Sequence, residues 1–399
     1  MTDIHNRTQR EESTLQKIKS NPDITEHNKQ KIRKFIDRVR AEGSSKDRIH
    51  NYLWSLAKIC RHTDLQLGKA QEEDLIRVVG KINNDQLNQK EYSAYSKAEF
   101  RKTLSKYYRA FENNPELVEF MQIDPKKKQI SKLDAEELPR PEYVEKLVDE
   151  CRNVRDEALI MTLWDTGGRI EAVLNLKWKN FTPDKENPSI SFTERNKTML
   201  RKIPVSSSQP ILKRWMSEHP EPEPESYIFT KYEGNKNTKH PGNQPMCYST
   251  AYSMLKRRRE DAEIPEKIKT NPHSFRKARA TYLASTGMNV NMLAKFMGWS
   301  QISTAQKYVS LAQNQLDSAF KEAVGIAEEG KQQGLDWNNE SLKPGRCQSC
   351  QSIVSNAWNQ CPECRTSINQ DNLLAVLQQK DKEQQIREEI TDIQAKIQG

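Results

Sequence analysis

The peptide Asn271-Pro272-His273-Ser274-Phe275-Arg276 reads as a helix start, with Asn271 as the cap and Pro272 at the first helical position. His273 and Arg276 then lie one turn apart on one face, and two donors at that spacing can converge on a single phosphate. Further on, Asn289 caps a helix ending at Met297-Gly298-Trp299, and Ser300 caps another that carries Tyr308 beside Ile302, Ala305 and Val309. A helix holds such a phenol rigidly. Upstream, Asp165-Thr166-Gly167-Gly168-Arg169-Ile170 sets an arginine just after a flexible turn, at the mouth of a helix running into Val173, Leu174 and Leu176. Breaking a phosphodiester without a metal requires a nucleophile, positive donors around the pentacovalent phosphorus and an acid for the leaving oxygen. This chain has candidates for all three.

A second constellation is metallic. Cys347-x-x-Cys350 and Cys361-x-x-Cys364 stand ten residues apart, a spacing that lets two tight knuckles offer four thiolates to one tetrahedral Zn²⁺. With four sulfur ligands no coordination position stays open, so the expected role is structural. Such a module, similar to zinc ribbons, can grip DNA, a partner or the next protomer, or simply staple its own fold. Cys60, Cys151 and Cys247 lack any such company and read as small buried hydrophobes.

The elements that must position these groups follow from periodicity. Residues 1–24 are polar and are expected to form a flexible lead-in. From 25 to 123 apolar residues recur at helical spacing, among them Ile32, Phe35, Ile36 and Val39, then Ile49, Leu53, Leu56 and Ile59, then Leu104, Tyr107, Tyr108 and Phe111. Lys31, Arg33, Lys34, Arg38, Lys46, Arg48, Lys58, Arg61, Arg101, Lys102, Lys106 and Arg109 lie between them, a density that suits a face turned to phosphates. Residues 124–140, with their prolines and basic run, read as a linker. A second domain over 141–325 is mainly helical, interrupted near Ser189 to Val205 by a small antiparallel sheet. The cysteine module occupies 340–369. Over 370–399, Leu373, Val376 and Leu377, then Ile386, Ile390, Ile393 and Ile397, mark an amphipathic helix that could dock on a neighbouring subunit.

Lys and Arg number 64 against 55 Asp and Glu, a net charge of +9 that fits a polyanion binder. No run of about 18 apolar residues exists, and Met1 to Glu12 is polar, so the expectation is a soluble cytoplasmic protein, nucleoid-associated when on DNA, with no membrane partner.

The order Thr-Gly-Gly-Arg, a lysine in a hairpin, His-x-x-Arg, Gly-Trp, then Tyr resembles the tyrosine recombinase family of phage-type integrases and Xer recombinases, in an archaeal-type form with a carboxy-terminal zinc ribbon. The run Leu293 to Tyr308 is similar to the family's closing box over its whole length. The resemblance implies a fold that is mainly α with a small antiparallel β-sheet: a SAM-like helical core-binding domain at 25–123 and a catalytic domain at 141–325. It implies that Arg169 and Arg276 clamp the non-bridging phosphate oxygens through forked, permanently charged donors. It implies that His273 helps the phenol lose its proton or orients the phosphate, and that Trp299, where many members carry histidine, donates its indole N–H but transfers no proton. Tyr308 would form a 3′-phosphotyrosyl link, with no metal, ATP or other catalytic cofactor, on double-stranded DNA bound by a dimer or tetramer.

The family's leaving-group acid corresponds to Lys197 in Glu194-Arg195-Asn196-Lys197-Thr198, one place later than usual, with Lys202 a remote substitute. Ala172 stands where the family has an acid three residues after the arginine, and Glu171 points elsewhere on a helix. Singly, each site residue also reads as a capped helix start, a core indole or a core-edge phenol; together and in this order they indicate a site-specific recombinase. Arg279, Tyr282 and Tyr252 are assigned to packing or DNA-backbone contacts. A type IB topoisomerase and a catalytically silent DNA-binding protein are the competing readings.

Overall fold

The computed structural model describes residues 2–121, 135–184, 186–193, 200–231, 244–310, 344–355, 360–361 and 363–368. Its chain divides into two units, one of residues 5–133 and one of residues 1–4 with 134–399.

In the first unit five helices surround an apolar core: α1 Arg7–Ser20, α2 Glu26–Ala41, α3 Lys46–His62, α4 Glu72–Asn83 and α5 Ala94–Lys106, the last running on through a π-helical turn Tyr107–Phe111. Thr25, Ser45 and Ser93 each accept a hydrogen bond from a backbone N–H of the first turn of α2, α3 and α5, which fixes where those helices begin. Phe35 is fully buried with its ring centroid 5.4 Å from Tyr52, 5.3 Å from Tyr107 and 5.7 Å from Phe111, so the stripes read from the sequence meet around one aromatic centre. Buried Asn28 spends its amide on the α3–α4 loop, donating to Leu65 O at 2.7 Å and accepting from Leu67 N at 2.9 Å.

The expected flexible lead-in at 1–24 is corrected by α1. Its composition is poor in apolar residues, but helices in proteins draw most of their stability from tertiary contact, and α1 has that contact. Ile18 is buried, Leu15 packs against the same core, Arg7 pairs with Asp47 of α3 at 2.7 Å, and Arg40 of α2 donates to Glu11 at 3.0 Å. Residues Thr2 to Ile4 lie on the second unit, where Thr2 N donates to Asn175 Oδ1 at 2.7 Å, Tyr248 N donates to Ile4 O at 3.0 Å and the Ile4 side chain is buried.

The second unit runs α6 Pro141–Asp149, α7 Val154–Thr166, α8 Ile170–Leu174, β1 Phe181–Thr182, β2 Ser189–Thr193, β3 Leu200–Pro204, α9 Ser208–Glu218, α10 Tyr248–Asp261, α11 Pro272–Ser285 and α12 Val290–Met297, then a helix over 302–310, α13. Helix α7 is the axis of the core: Ala158, Leu159, Ile160, Met161, Leu163 and Trp164 are all buried, on every side of the helix. The sheet is antiparallel in the order β1-β2-β3, with Ile190 opposite Ile203. The two-residue β1 was absent from the sequence reading, because two residues carry no period to detect. A separate hairpin, β4 Pro344–Arg346 with β5 Ile353–Ser355, begins the cysteine module. The fold is therefore mainly α with small antiparallel sheets, as expected. The described part of the linker begins at 135, and the carboxy-terminal helix expected at 370–399 lies outside the described residues.

Candidate active site and cysteine centre

Two glycines shape the turn that carries Arg169. Gly167 ends α7 in the left-handed region at φ 53°, where a β-carbon would also meet Met297 Cε at 2.9 Å. Gly168 is required for space: a β-carbon there would fall 2.6 Å from Val173 Cγ2. Arg169 follows as the cap residue of α8, its side chain exposed and without a hydrogen-bond or ion-pair partner among the described residues.

Arg276, on the first turns of α11, is buried and binds backbone on two sides. Its Nη1 donates to Gly167 O at 2.7 Å and its Nη2 to Met297 O at 2.5 Å. One guanidinium thus ties the glycine turn to the end of α12. Its carbon lies 5.5 Å from the Trp299 ring centroid, and Trp299 stacks on Tyr308 at 5.1 Å with only 12° between the planes. Arg276, Trp299 and Tyr308 are therefore joined by successive contacts. Tyr308 is 7% exposed, and burial raises its phenol above the ordinary 10.0 while the charge of Arg276 opposes that rise.

His273 sits one turn before Arg276, accessible at the helix mouth where Asn271 caps α11. Desolvation first, then the charges of Lys277, Arg276 and Arg169, push its imidazole below the ordinary 6.5, so the ring is neutral near neutrality. Those charges also mark its neighbourhood: Arg169 and Arg276 both act on this ring. Five of the six predicted site residues, Arg169, His273, Arg276, Trp299 and Tyr308, are thus brought together. The sixth, Lys197, lies outside the described residues. Lys202 belongs elsewhere: it alternates on β3 with Arg201, whose guanidinium donates to Phe296 O at the end of α12, so the lysine faces away from that segment.

Two residues were missed as parts of this site. Asp165 is 1% exposed and accepts four hydrogen bonds: from Ser206 N at 2.9 Å and Ser208 N at 2.7 Å, and from the two serine hydroxyls at 3.2 Å and 2.8 Å. It caps α9 and anchors the turn that carries Arg169. The signal was an acid closing the apolar stretch Ala158 to Trp164. Arg201 is the other; with Arg276 it supplies a second guanidinium to the last carbonyls of α12. Arg279, assigned to packing, donates to Asp165 O at 3.1 Å and lies over the rings of Trp164 and Tyr282, its basicity lowered by burial and partly restored by Asp165. Tyr282 is buried, and exposed Tyr252 stacks on Tyr248.

In the cysteine module the ligand sulfurs of Cys347, Cys350, Cys361 and Cys364 all lie within 4.8 Å of one another. The closest pairs, Cys347 with Cys364 at 3.5 Å and Cys350 with Cys361 at 3.6 Å, approach the edge of about 3.8 Å that four Zn–S bonds of about 2.3 Å impose on a tetrahedron. The two knuckles share one backbone pattern. Gln351 N donates to Cys347 O and Arg365 N to Cys361 O, and Gln351 and Arg365 take φ of 61° and 60°. The donor set fits a metal ion.

The cations of the first unit prove unequal. Lys31, Arg38, Arg48, Arg61, Lys102 and Lys106 are paired with Glu112, Glu42, Glu99, Asp23, Glu99 and Glu42. Lys46, Arg101 and Arg109 donate to the neutral groups of Thr8, Asn83 and Ser105, whereas the side chains of Arg33, Lys34 and Lys58 have neither an acidic nor a hydrogen-bond partner among the described residues and remain the better candidates for phosphate contact.

Residues 139–315 match the phage integrase family. The chain is 24% identical over 296 residues to a probable integrase/recombinase protein of Methanocaldococcus jannaschii, covering 71% of this chain and 87% of that protein. It is 24% identical to the tyrosine recombinase XerA of Pyrococcus furiosus, covering 73% and 93%. Among solved structures, its fold is similar to a lambda integrase dimer bound to a COC′ core site, with TM-score 0.54 at 15% identity over 70% of this chain and 76% of that one. It is also similar to the XerH site-specific recombinase bound to a palindromic difH substrate, with TM-score 0.53 at 16% identity over 78% and 94%.

Proposed function

We propose, from the match of residues 139–315 to the phage integrase family and the likeness to tyrosine recombinases, that this chain is a tyrosine recombinase that cuts and rejoins double-stranded DNA through a 3′-phosphotyrosyl intermediate on Tyr308. The observation that carries the reading is the contact line Arg276–Trp299–Tyr308 with His273 and Arg169 beside it. The Tyr308 oxygen attacks phosphorus, a new P–O bond to tyrosine forms, and the bond to the 5′ oxygen breaks. Neutral His273 takes the phenol proton, a task made necessary by a buried phenol whose proton is held more tightly than usual. The side chain of Arg169, exposed and unpartnered among the described residues, holds the non-bridging oxygens, the positive charge of Arg276 stabilises them, the indole N–H of Trp299 adds a donor, and Lys197 protonates the leaving 5′ oxygen. Because the phosphotyrosyl bond conserves the energy of the one broken, reversal rejoins the strand without nucleotide hydrolysis.

The first unit, with Arg33, Lys34 and Lys58 free of acidic partners among the described residues, supplies backbone contacts as a core-binding domain, and the protein works as a dimer or tetramer assembled on DNA in the cytoplasm. Among the described residues no helix is long and apolar enough to cross a membrane. Cys347, Cys350, Cys361 and Cys364 hold a structural Zn²⁺, which stabilises the module and takes no part in strand transfer.

The test is a library of nicked duplexes with randomised cores, incubated with the protein in chelator and then denatured. Wild type is expected to retain sequenced, denaturation-resistant adducts of one core sequence, and Tyr308→Phe none. A wild-type protein that binds a defined site yet leaves no adduct on it refutes the reading.

A further inference from the structure

The cysteine module lies against α9 through β5 and through one residue of its second knuckle. Glu363 lies between Cys361 and Cys364, and its two carboxylate oxygens face different elements: Oε1 accepts from Lys213 Nζ of α9 at 3.1 Å, and Oε2 from the Ser352 hydroxyl of the first knuckle. Both members of the ion pair are mostly covered, with side-chain exposures of 23% for Lys213 and 33% for Glu363. Around them, Pro210, Ile211 and Arg214 on one side and Gln360 and Arg365 on the other line a polar cleft of about 850 Å³, so the ion pair bridges a gap between the two surfaces. That bridge depends on the aim of one carboxylate. That aim is set by the knuckle, whose closed form needs the four thiolates gathered on one centre.

We propose that the cysteine module is a metal-gated clip on α9 of its own chain: metal binding closes the knuckles, directs Glu363 onto Lys213 and seats the module, and metal loss releases it. The inference rests on the metal reading of the four cysteines and adds a partner surface to it. The ion pair is a weak latch, since a partly exposed pair is worth only about 0.2–1 kcal/mol, and so it is reversible. It also bears on the site already described. The first turn of α9 is held by Asp165, four residues before Arg169, so the clip rests on the middle of the helix whose first turn anchors that segment.

The experiment is hydrogen exchange over residues 208–218 of the full chain, read by mass spectrometry with Zn²⁺ added or chelated, while Co²⁺ substitution reports tetrahedral thiolate coordination by its visible spectrum. Zn²⁺ is expected to slow exchange over α9 by at least twofold. Glu363→Lys and Lys213→Glu are each expected to abolish that effect with the cobalt spectrum intact, and the double charge reversal to restore it. Normal cobalt binding with exchange over 208–218 indifferent to metal overturns the clip and leaves the metal site standing. Absence of the cobalt spectrum overturns both. Zn²⁺ protection that grows with protein concentration overturns seating within one chain in favour of a second copy.

Discussion

Replacing Asp165 by asparagine tests whether a buried carboxylate organises the turn before Arg169. Asp165 Oδ2 accepts from Ser206 N, Ser208 N and the Ser208 hydroxyl, and Oδ1 from the Ser206 hydroxyl, with Arg279 Nη2 at 3.7 Å. In Asp165→Asn the amide oxygen keeps the three bonds now at Oδ2, but each passes from charge-assisted to neutral, a loss of about 1 kcal/mol apiece. The amide nitrogen occupies the Oδ1 position, where the Ser206 hydroxyl can turn to accept but the Arg279 guanidinium cannot. The sum, about 3 kcal/mol, sits at the low end of the ~3–5 kcal/mol typical of breaking a buried charge pair. At about 1.36 kcal/mol per tenfold, the amides of Ser206 and Ser208 should exchange with solvent roughly 150-fold faster. Hydrogen exchange over 203–209 in the full chain reads this directly. Exchange within about fivefold of wild type would falsify the claim that Asp165 holds the start of α9. Asp165→Ala, which leaves two buried N–H groups with no acceptor, is expected to be worse than asparagine.

Other consequences can be checked alongside it. The second-order rate of adduct formation should fall on the acid side as His273 gains a proton, with its midpoint below 6.5 because desolvation and three cations depress this group; a midpoint above 6.5 in the free enzyme, or one unmoved in His273→Gln, removes the histidine from the reaction. Stability carries the same sign. His50, His62, His219 and His273 all have depressed values in the folded chain, led in each case by desolvation, so their contribution is complete above 6.5 and is lost as pH falls through the folded values; unfolding by urea should become easier between pH 6.5 and about 4.5, before most carboxylates titrate. Trp299→Ala removes the ring stacked on Tyr308, a contact worth about 0.5–1.5 kcal/mol, and nitration of Tyr308 should quicken roughly 2- to 10-fold, against little change in Trp299→Phe; equal rates in all three refute the stacking. Gly168→Ala forces a methyl within 2.6 Å of Val173 Cγ2 and should cost about 1–3 kcal/mol of stability in urea, whereas Gly43→Ala, with open space around it, tests only the φ of 76°.

Much of this protein was legible from one dimension because its signals are local. Helix caps such as Asn271 and Asn289, the paired C-x-x-C knuckles and the stripes of α2 and α3 are set by neighbours a few residues away, and the positions of Arg169, His273, Arg276, Trp299 and Tyr308 in chain order sufficed to group them. What tertiary structure alone decided is who holds whom. The helix at 7–20 exists through ion pairs to α2 and α3 that no local period reveals. Asp165 and Arg201 matter because folding brings them to Ser208 and Phe296, 43 and 95 residues away. Cationic density in the first unit marked many lysines and arginines alike, yet whether a charge meets an acid or remains free for phosphate depends on distances in space. The spacing of residues along the chain thus determined which groups are present, and their burial and pairing, which depend on long-range packing, decided what each is free to do.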